Sequence, residues 1–232
     1  MNTVNSLEIP NPRIALIHAT ALAMEPIQSA FGRHWPQARC MNLLDDSLSV
    51  DLAEAGSLKP EMTQRFLDLA DYAKRTGCSA ILFTCSAFGP AIVAAGAAVG
   101  LPTLKPNEAM FEDALALSQA QGAKLGLIAT FEASIPSMSA ELLDMAAQRG
   151  QRIELRTQFV PEAMQDLAQG RAEDHHRKIA QAARSLRDCD VVMLAQFSMA
   201  AALPVVQAEL PCTVLSSPDC AVLALQKRMT HA

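Results

Sequence analysis

The stretch Ala80-Ile-Leu-Phe-Thr-Cys85-Ser-Ala-Phe-Gly-Pro90 runs from four apolar residues into a short turn of small and hydroxyl-bearing residues around one thiol. An unbroken apolar run bounded by turn residues reads as a parallel strand buried on both faces. Its cysteine then stands at the carboxyl end, where open parallel sheets bind their ligands. A second stretch, Asp190-Val-Val-Met-Leu-Ala-Gln196-Phe-Ser198-Met199, aligns without gaps on Ser79 to Phe88 and sets Gln196 where Cys85 stands. The chain offers one thiol at these paired positions, not two.

Similar runs lie on either side: Arg13-Ile-Ala-Leu-Ile-His18, Lys124-Leu-Gly-Leu-Ile-Ala-Thr130 and Cys212-Thr-Val-Leu-Ser216. Between them come segments with helical spacing. Glu61 to Arg75 puts Met62, Phe66, Leu69, Ala70 and Ala73 on one stripe, and 111–121 and 138–148 look alike. Alternating strands and helices imply βαβ units with right-handed crossovers, hence an α/β fold. Because the pattern repeats, two pseudo-symmetric lobes are expected, each a parallel sheet flanked by helices: 13–115 plus 214–232, and 116–213. His18, Thr20, Cys85, Thr130, Ser134, Gln196 and Ser198 should then converge on a cleft between the lobes.

Composition narrows the function classes. The 232 residues are 50% apolar with only 4% aromatics, enough for a substantial core of helices packed closely on sheets. A net charge of -5 without a Lys/Arg run argues against nucleic acid as partner. The six cysteines are scattered, with no C-x-x-C pair and no spacing suited to zinc. Together with the polar, proline-punctuated start Met1 to Pro12, this points to a reducing cytoplasm. Thr76 to Leu104 is 29 residues long and uncharged. Gly89-Pro90, Gly100-Leu-Pro102 and the polar cluster at Thr84 to Ser86 nevertheless make it a strand, a turn and an Ala-rich helix rather than a membrane span. Its Gly96-x-x-x-Gly100 spacing reads as close helix–sheet packing.

The Cys85 turn, the Leu127-Ile-Ala-Thr130 strand end and the Asp190-to-Ser198 strand and turn together resemble the aspartate/glutamate/hydantoin racemase superfamily, which includes arylmalonate decarboxylase and maleate isomerase. The likeness runs from about Arg13 to about Leu225. It implies two lobes with the active site between them, no metal, no pyridoxal phosphate or other cofactor, and a homodimer or higher homo-oligomer. Two-base racemases of this kind take one cysteine from each lobe. Cys85 matches the first, whereas Gln196 replaces the second with a side-chain amide that cannot hold and return a proton. Arylmalonate decarboxylase also uses a single cysteine, but from the second lobe, so this chain resembles its mirror arrangement. His18-Ala19 stands where the family carries a strand-1 Asp-Ser pair.

The resemblance implies proton transfer by Cys85 at a carbon α to a carboxylate, in a small carboxylic acid or amino-acid derivative. A racemase or isomerase leads; the alternatives are a one-cysteine decarboxylase of a malonate-like acid and a silent small-acid-binding protein. A redox sensor would want a resolving cysteine, and none is near Cys85 in sequence. Without a cofactor, the carbanion must be stabilised by donors placed where charge develops. Thr20, Thr84, Ser86, Ala87, Thr130, Phe131, Ser134, Gln196 and Ser198 are expected to bind substrate, and helix starts after Ser86 and near Ser134 should favour a carboxylate. In that field Cys85 is expected to have a lowered pKa. His18 reads either as a satisfied core histidine or as a second catalytic group opposite the thiol or supporting it. The other five cysteines read as structural, and His175-His176 as part of a solvated, charged helix start.

Overall fold

The structure, a computed structural model, describes residues 11–230, so most of the segment read as non-secretory lies outside the described residues. The described residues form two four-stranded sheets, and every strand pairing within them is parallel. The first has the order β2-β1-β3-β4, from β1 (Arg13–His18), β2 (Arg39–Leu44), β3 (Ala80–Phe83) and β4 (Thr103–Leu104). The second repeats it as β6-β5-β7-β8, from β5 (Ala123–Ala129), β6 (Ile153–Phe159), β7 (Val191–Leu194) and β8 (Thr213–Ser216). The helices of the first half are α1 (Met24–His34), α2 (Ser47–Ala55), α3 (Pro60–Arg75), α4 (Gly89–Val99) and α5 (Glu108–Leu117). Those of the second are α6 (Ile135–Gln148), α7 (Ala163–Ala168), α8 (Ala172–Ala183), α9 (Leu203–Gln207) and α10 (Ser217–Thr230).

The inner strands are buried on both faces, as their continuous apolar runs require. In the first sheet Ile14, Leu16, Ala80 and Leu82 face a core shared with α1 and α10, while Ala15, Ile17, Ile81 and Phe83 face Phe66 of α3 and Ala91 and Ile92 of α4. The second sheet is covered likewise by α5 and α6 on one face and α8 and α9 on the other. No helix among the described residues is long and apolar enough to cross a membrane. The uncharged stretch 76–104 resolves instead into β3, a turn and α4. A Cβ on Gly96 would stand 3.2 Å from Thr103 Cγ2, so the glycine lets α4 lie directly on β4.

The expected lobe boundaries shift. Thr213–Ser216 pairs with β7, because that strand still offers a free ladder edge, so residues 214–216 sit in the second sheet rather than with the first lobe. The α5 helix, expected within the first lobe, contributes Met110, Phe111, Ala114 and Leu115 to the second core. Only α10 returns, adding Ala221, Val222 and Leu225 to the first. Each half thus lends a helix to the other, which couples the two lobes through apolar area.

His175 also departs from expectation. It starts the buried stripe His175–Ile179–Ala183 on α8, fully enclosed, and neither ring nitrogen has a hydrogen-bond partner among the described residues. Burial, with His176 alongside, pushes its pKa down to about 4 against the opposing pull of Asp166. The unfolded chain therefore takes up a proton near pH 6.5 that the folded chain refuses, and stability falls as pH drops from 6.5 toward 4. One fully buried histidine so shifted is worth up to about 3 kcal/mol at the acid end. In urea unfolding at pH 7 and pH 4.5, His175→Leu should lose markedly less stability on acidification than the native chain. An unchanged pH dependence would rule this origin out.

Candidate active site

The parallel registers set the two key side chains. Ile17 pairs with Phe83 in the first sheet and Ile128 with Leu194 in the second, so Cys85 and Gln196 stand two residues beyond equivalent pairs. Each begins a 3-10 turn, Ser86–Phe88 in one lobe and Phe197–Ala202 in the other. Between the turns lies a cavity of about 70 Å³. Of the expected site residues, Thr20, Thr84, Cys85, Ser86, Ala87, Phe131, Gln196 and Ser198 line it. Phe131 also packs on the first core, and Phe197 is buried among first-lobe residues, so the second lobe inserts two rings into the first.

His18, Thr130 and Ser134 do not line the cavity but hold residues that do. His18 is fully buried, with Nε2 2.9 Å from Asn42 Oδ1 and Nδ1 2.8 Å from Thr84 Oγ1. Since Asn42 Oδ1 can only accept, Nε2 carries the proton and Nδ1 accepts from the Thr84 hydroxyl. Burial lowers its pKa, against the bond to Asn42, and keeps the ring neutral. It is the satisfied core histidine, positioning Thr84.

Gln196 is fixed just as firmly. Thr130 donates its backbone N–H (2.8 Å) and its hydroxyl (3.2 Å) to Gln196 Oε1, and Nε2 donates to Ser134 Oγ at 2.8 Å. Ser134 in turn donates to the Phe131 carbonyl at 2.7 Å. The Thr130 and Ser134 donors expected to hold a substrate carboxylate are spent instead on the glutamine oxygen and the Phe131 carbonyl.

Cys85 is 7% exposed, and its thiol donates to the Ile17 carbonyl at 3.7 Å. Burial pushes its pKa up to about 12, although the Ala19 N–H and Thr84 favour the thiolate. The proton of Thr84 is committed to His18, which weakens that help. The lowered pKa expected from the turn is therefore not found, because desolvation outweighs the local donors. No group of three or more His, Cys, Asp or Glu residues among those described could hold a metal ion.

Sequence reading missed the cavity residues Ala19, Ala23, Ser49, Phe88, Met164 and Phe197. It also missed Asn42, which lies in β2. Ser49 and Met164 arrive on α2 and α7, short helices whose placement over the strand ends is a tertiary property. A larger cleft of about 870 Å³ borders the same turn at Ala87. Glu108, Glu112, Glu141 and Asp144 line it against a single lysine, Lys105, which makes it a poor receptor for an anion.

A two-lobed α/β protein with a thiol at the interlobe strand ends is thus defined by its geometry. The chain belongs to the Asp/Glu/Hydantoin racemase family, whose model matches residues 14–225. Curated proteins yielded no match by sequence. Among solved structures, a glutamate racemase isoform from Bacillus anthracis superposes with a TM-score of 0.75 at 18% identity, covering 96% of this chain and 83% of its own. Picrophilus torridus aspartate racemase gives 0.67 at 13% identity, covering 94% of each chain. Unliganded arylmalonate decarboxylase gives 0.60 at 16%, covering 94% of this chain and 92% of its own. At these identities the likeness is one of fold.

A thiol with a pKa near 12 has about a thousandfold less thiolate at neutral pH than one at 9. Peptide-mapped iodoacetamide labelling should therefore leave Cys85 nearly untouched at pH 7.5. Its rate should climb about tenfold per pH unit from 8 to 11. A plateau reached below pH 8 would contradict the protonated thiol.

Proposed function

We propose that this chain is a cofactor-independent enzyme in which Cys85 delivers a proton to a carbanion formed α to a carboxylate, most simply by loss of CO2 from a malonate-type acid. The observation that carries the reading is the pairing of a protonated thiol with a hydrogen-bonded amide. Cys85 offers the proton, while Gln196, at the equivalent strand end, has no basic group and its oxygen is held by Thr130.

In the proposed reaction the bond from the α-carbon to one carboxylate breaks and its electron pair stays behind as an enolate. The remaining carboxylate takes the negative charge against the hydroxyls of Ser86 and Ser198, at roughly 3–4 kcal/mol for each well-placed donor. The Cys85 S–H proton moves to the carbon, and solvent returns a proton to the sulfur. The net change is a diacid and a proton giving a monoacid and CO2. A thiol that stays protonated across the neutral range suits donation better than abstraction, since a base must first lose its own proton.

The family also contains racemases, and racemisation needs a second acid–base group across the cavity. His18 was the sequence candidate for that role, but it is enclosed behind Thr84 and bonded on both nitrogens. This favours one-base chemistry over a Cys/His pair.

Turnover in deuterated water separates the readings. With a prochiral malonate-type acid, the native enzyme should release CO2 and place deuterium on one face only, whereas a racemase would label both enantiomers of a chiral acid. Cys85→Ala should lose at least about a hundredfold in kcat with its circular dichroism unchanged, and Cys220→Ala should lose nothing measurable. Full turnover in Cys85→Ala would sink the proposal. The native kcat/KM should also run level from pH 6 to pH 9, with no limb at a histidine pKa.

A further inference from the structure

We infer that the cavity selects carboxylic acids with an uncharged α-substituent and rejects their α-ammonium counterparts, so that free amino acids are not its substrates. The inference rests on the same cavity being the reaction site. Among the described residues, no Asp, Glu, His, Lys or Arg side chain lines it. The acid whose charge reaches Cys85, Asp45, is already taken by Arg65, whose Nε donates to Oδ2 at 2.8 Å.

An ammonium entering here would shed water without meeting an opposite charge, which is the costly way to bury an ion. Hydroxyl oxygens carry no charge to replace it, and the Thr20 oxygen already accepts the Leu22 N–H at 3.4 Å. A carboxylate fares better, because Ser86 and Ser198 line the cavity and their hydroxyls make no hydrogen bond among the described residues. Phe131 and Met164 supply apolar wall for an alkyl group. A volume of about 70 Å³ favours a compact acid.

The charge can be tested with its shape held constant, since methyl and ammonium are nearly isosteric. Calorimetric titration of full-length Cys85→Ser, which cannot turn over, should bind methylmalonate at least tenfold tighter than aminomalonate, and methylsuccinate at least tenfold tighter than aspartate. The native chain should give the same ranking, read as protection of Cys85 from iodoacetamide at pH 9.5. Thr20→Asp keeps an oxygen at the capping position and adds a carboxylate to the wall; it should shrink the preference at least tenfold. Equal or tighter binding of the amino compounds, no binding of either pair, or an unchanged preference in Thr20→Asp overturns the inference. If methylmalonate wins yet the native enzyme releases no CO2 from it, decarboxylation fails while this selectivity stands.

Discussion

The small cavity between the two strand-end turns has no ionised side chain among its described lining residues, and that constraint governs nearly every polar group around it. In such surroundings an unpartnered donor or acceptor is expensive. His18, Asn42 and Thr84 therefore satisfy one another behind the cysteine, while Gln196, Thr130, Ser134 and the Phe131 carbonyl do so on the other side. Burial of the sulfur decides the state of Cys85. A thiolate would have to be held by the Ala19 N–H and a hydroxyl already engaged elsewhere, so the proton stays on sulfur.

Pseudo-symmetry makes the polar groups comparable position by position. By sheet register, His18 and Thr84 correspond to Ala129 and Ala195. The second lobe therefore has small apolar side chains where the first buries a hydrogen-bonded pair. Ala19, whose N–H faces the sulfur, corresponds to Thr130, whose N–H is given to Gln196. Equivalent backbone donors at the ends of β1 and β5 thus serve a thiol in one lobe and an amide oxygen in the other. The lobes share one frame and have divided its chemistry unequally.

Much of this was legible in the sequence because it follows from short-range pattern. The apolar runs at 13–18, 80–84 and 124–130 fixed the inner strands, and the gapless match of 79–88 with 190–199 paired Cys85 with Gln196 before any coordinates. Two of the edge strands were not legible: Arg39–Leu44 and Ile153–Phe159 are only partly buried and carry polar residues, so neither makes an apolar run. The chemical state of the site was hidden for a different reason. A turn rich in hydroxyls suggests a stabilised thiolate, but whether water reaches the sulfur depends on what the other lobe inserts, namely Phe131 and Phe197. His175 is an instructive miss. Its i, i+4, i+8 spacing with Ile179 and Ala183 placed it on the apolar stripe of α8, and the neighbouring charges drew the reading toward solvent.

The ion pairs at the rim complete the picture, because they keep charge out of the cavity while fixing its roof. Ser49 reaches the cavity on α2, and the residues just before and within that helix, Asp45 and Asp51, are gripped by Arg65 of α3. Burial works against ionising Asp45, yet Arg65 and Ser47 outweigh it and hold the carboxyl below its ordinary range. Met164 arrives on α7, and Asp166 two residues on is held ionised by Lys178 and Arg171. Each roof helix is therefore tied through its acids to cations on or beside the following helix, and those acids are compensated outside the cavity rather than exposed within it. An acid freed from its arginine would add negative charge near Cys85, raising the thiol further and repelling a carboxylate. The surface pairs, modest as stabilisers in themselves, thus help preserve the uncharged interior on which both the protonated thiol and the proposed choice of substrate depend.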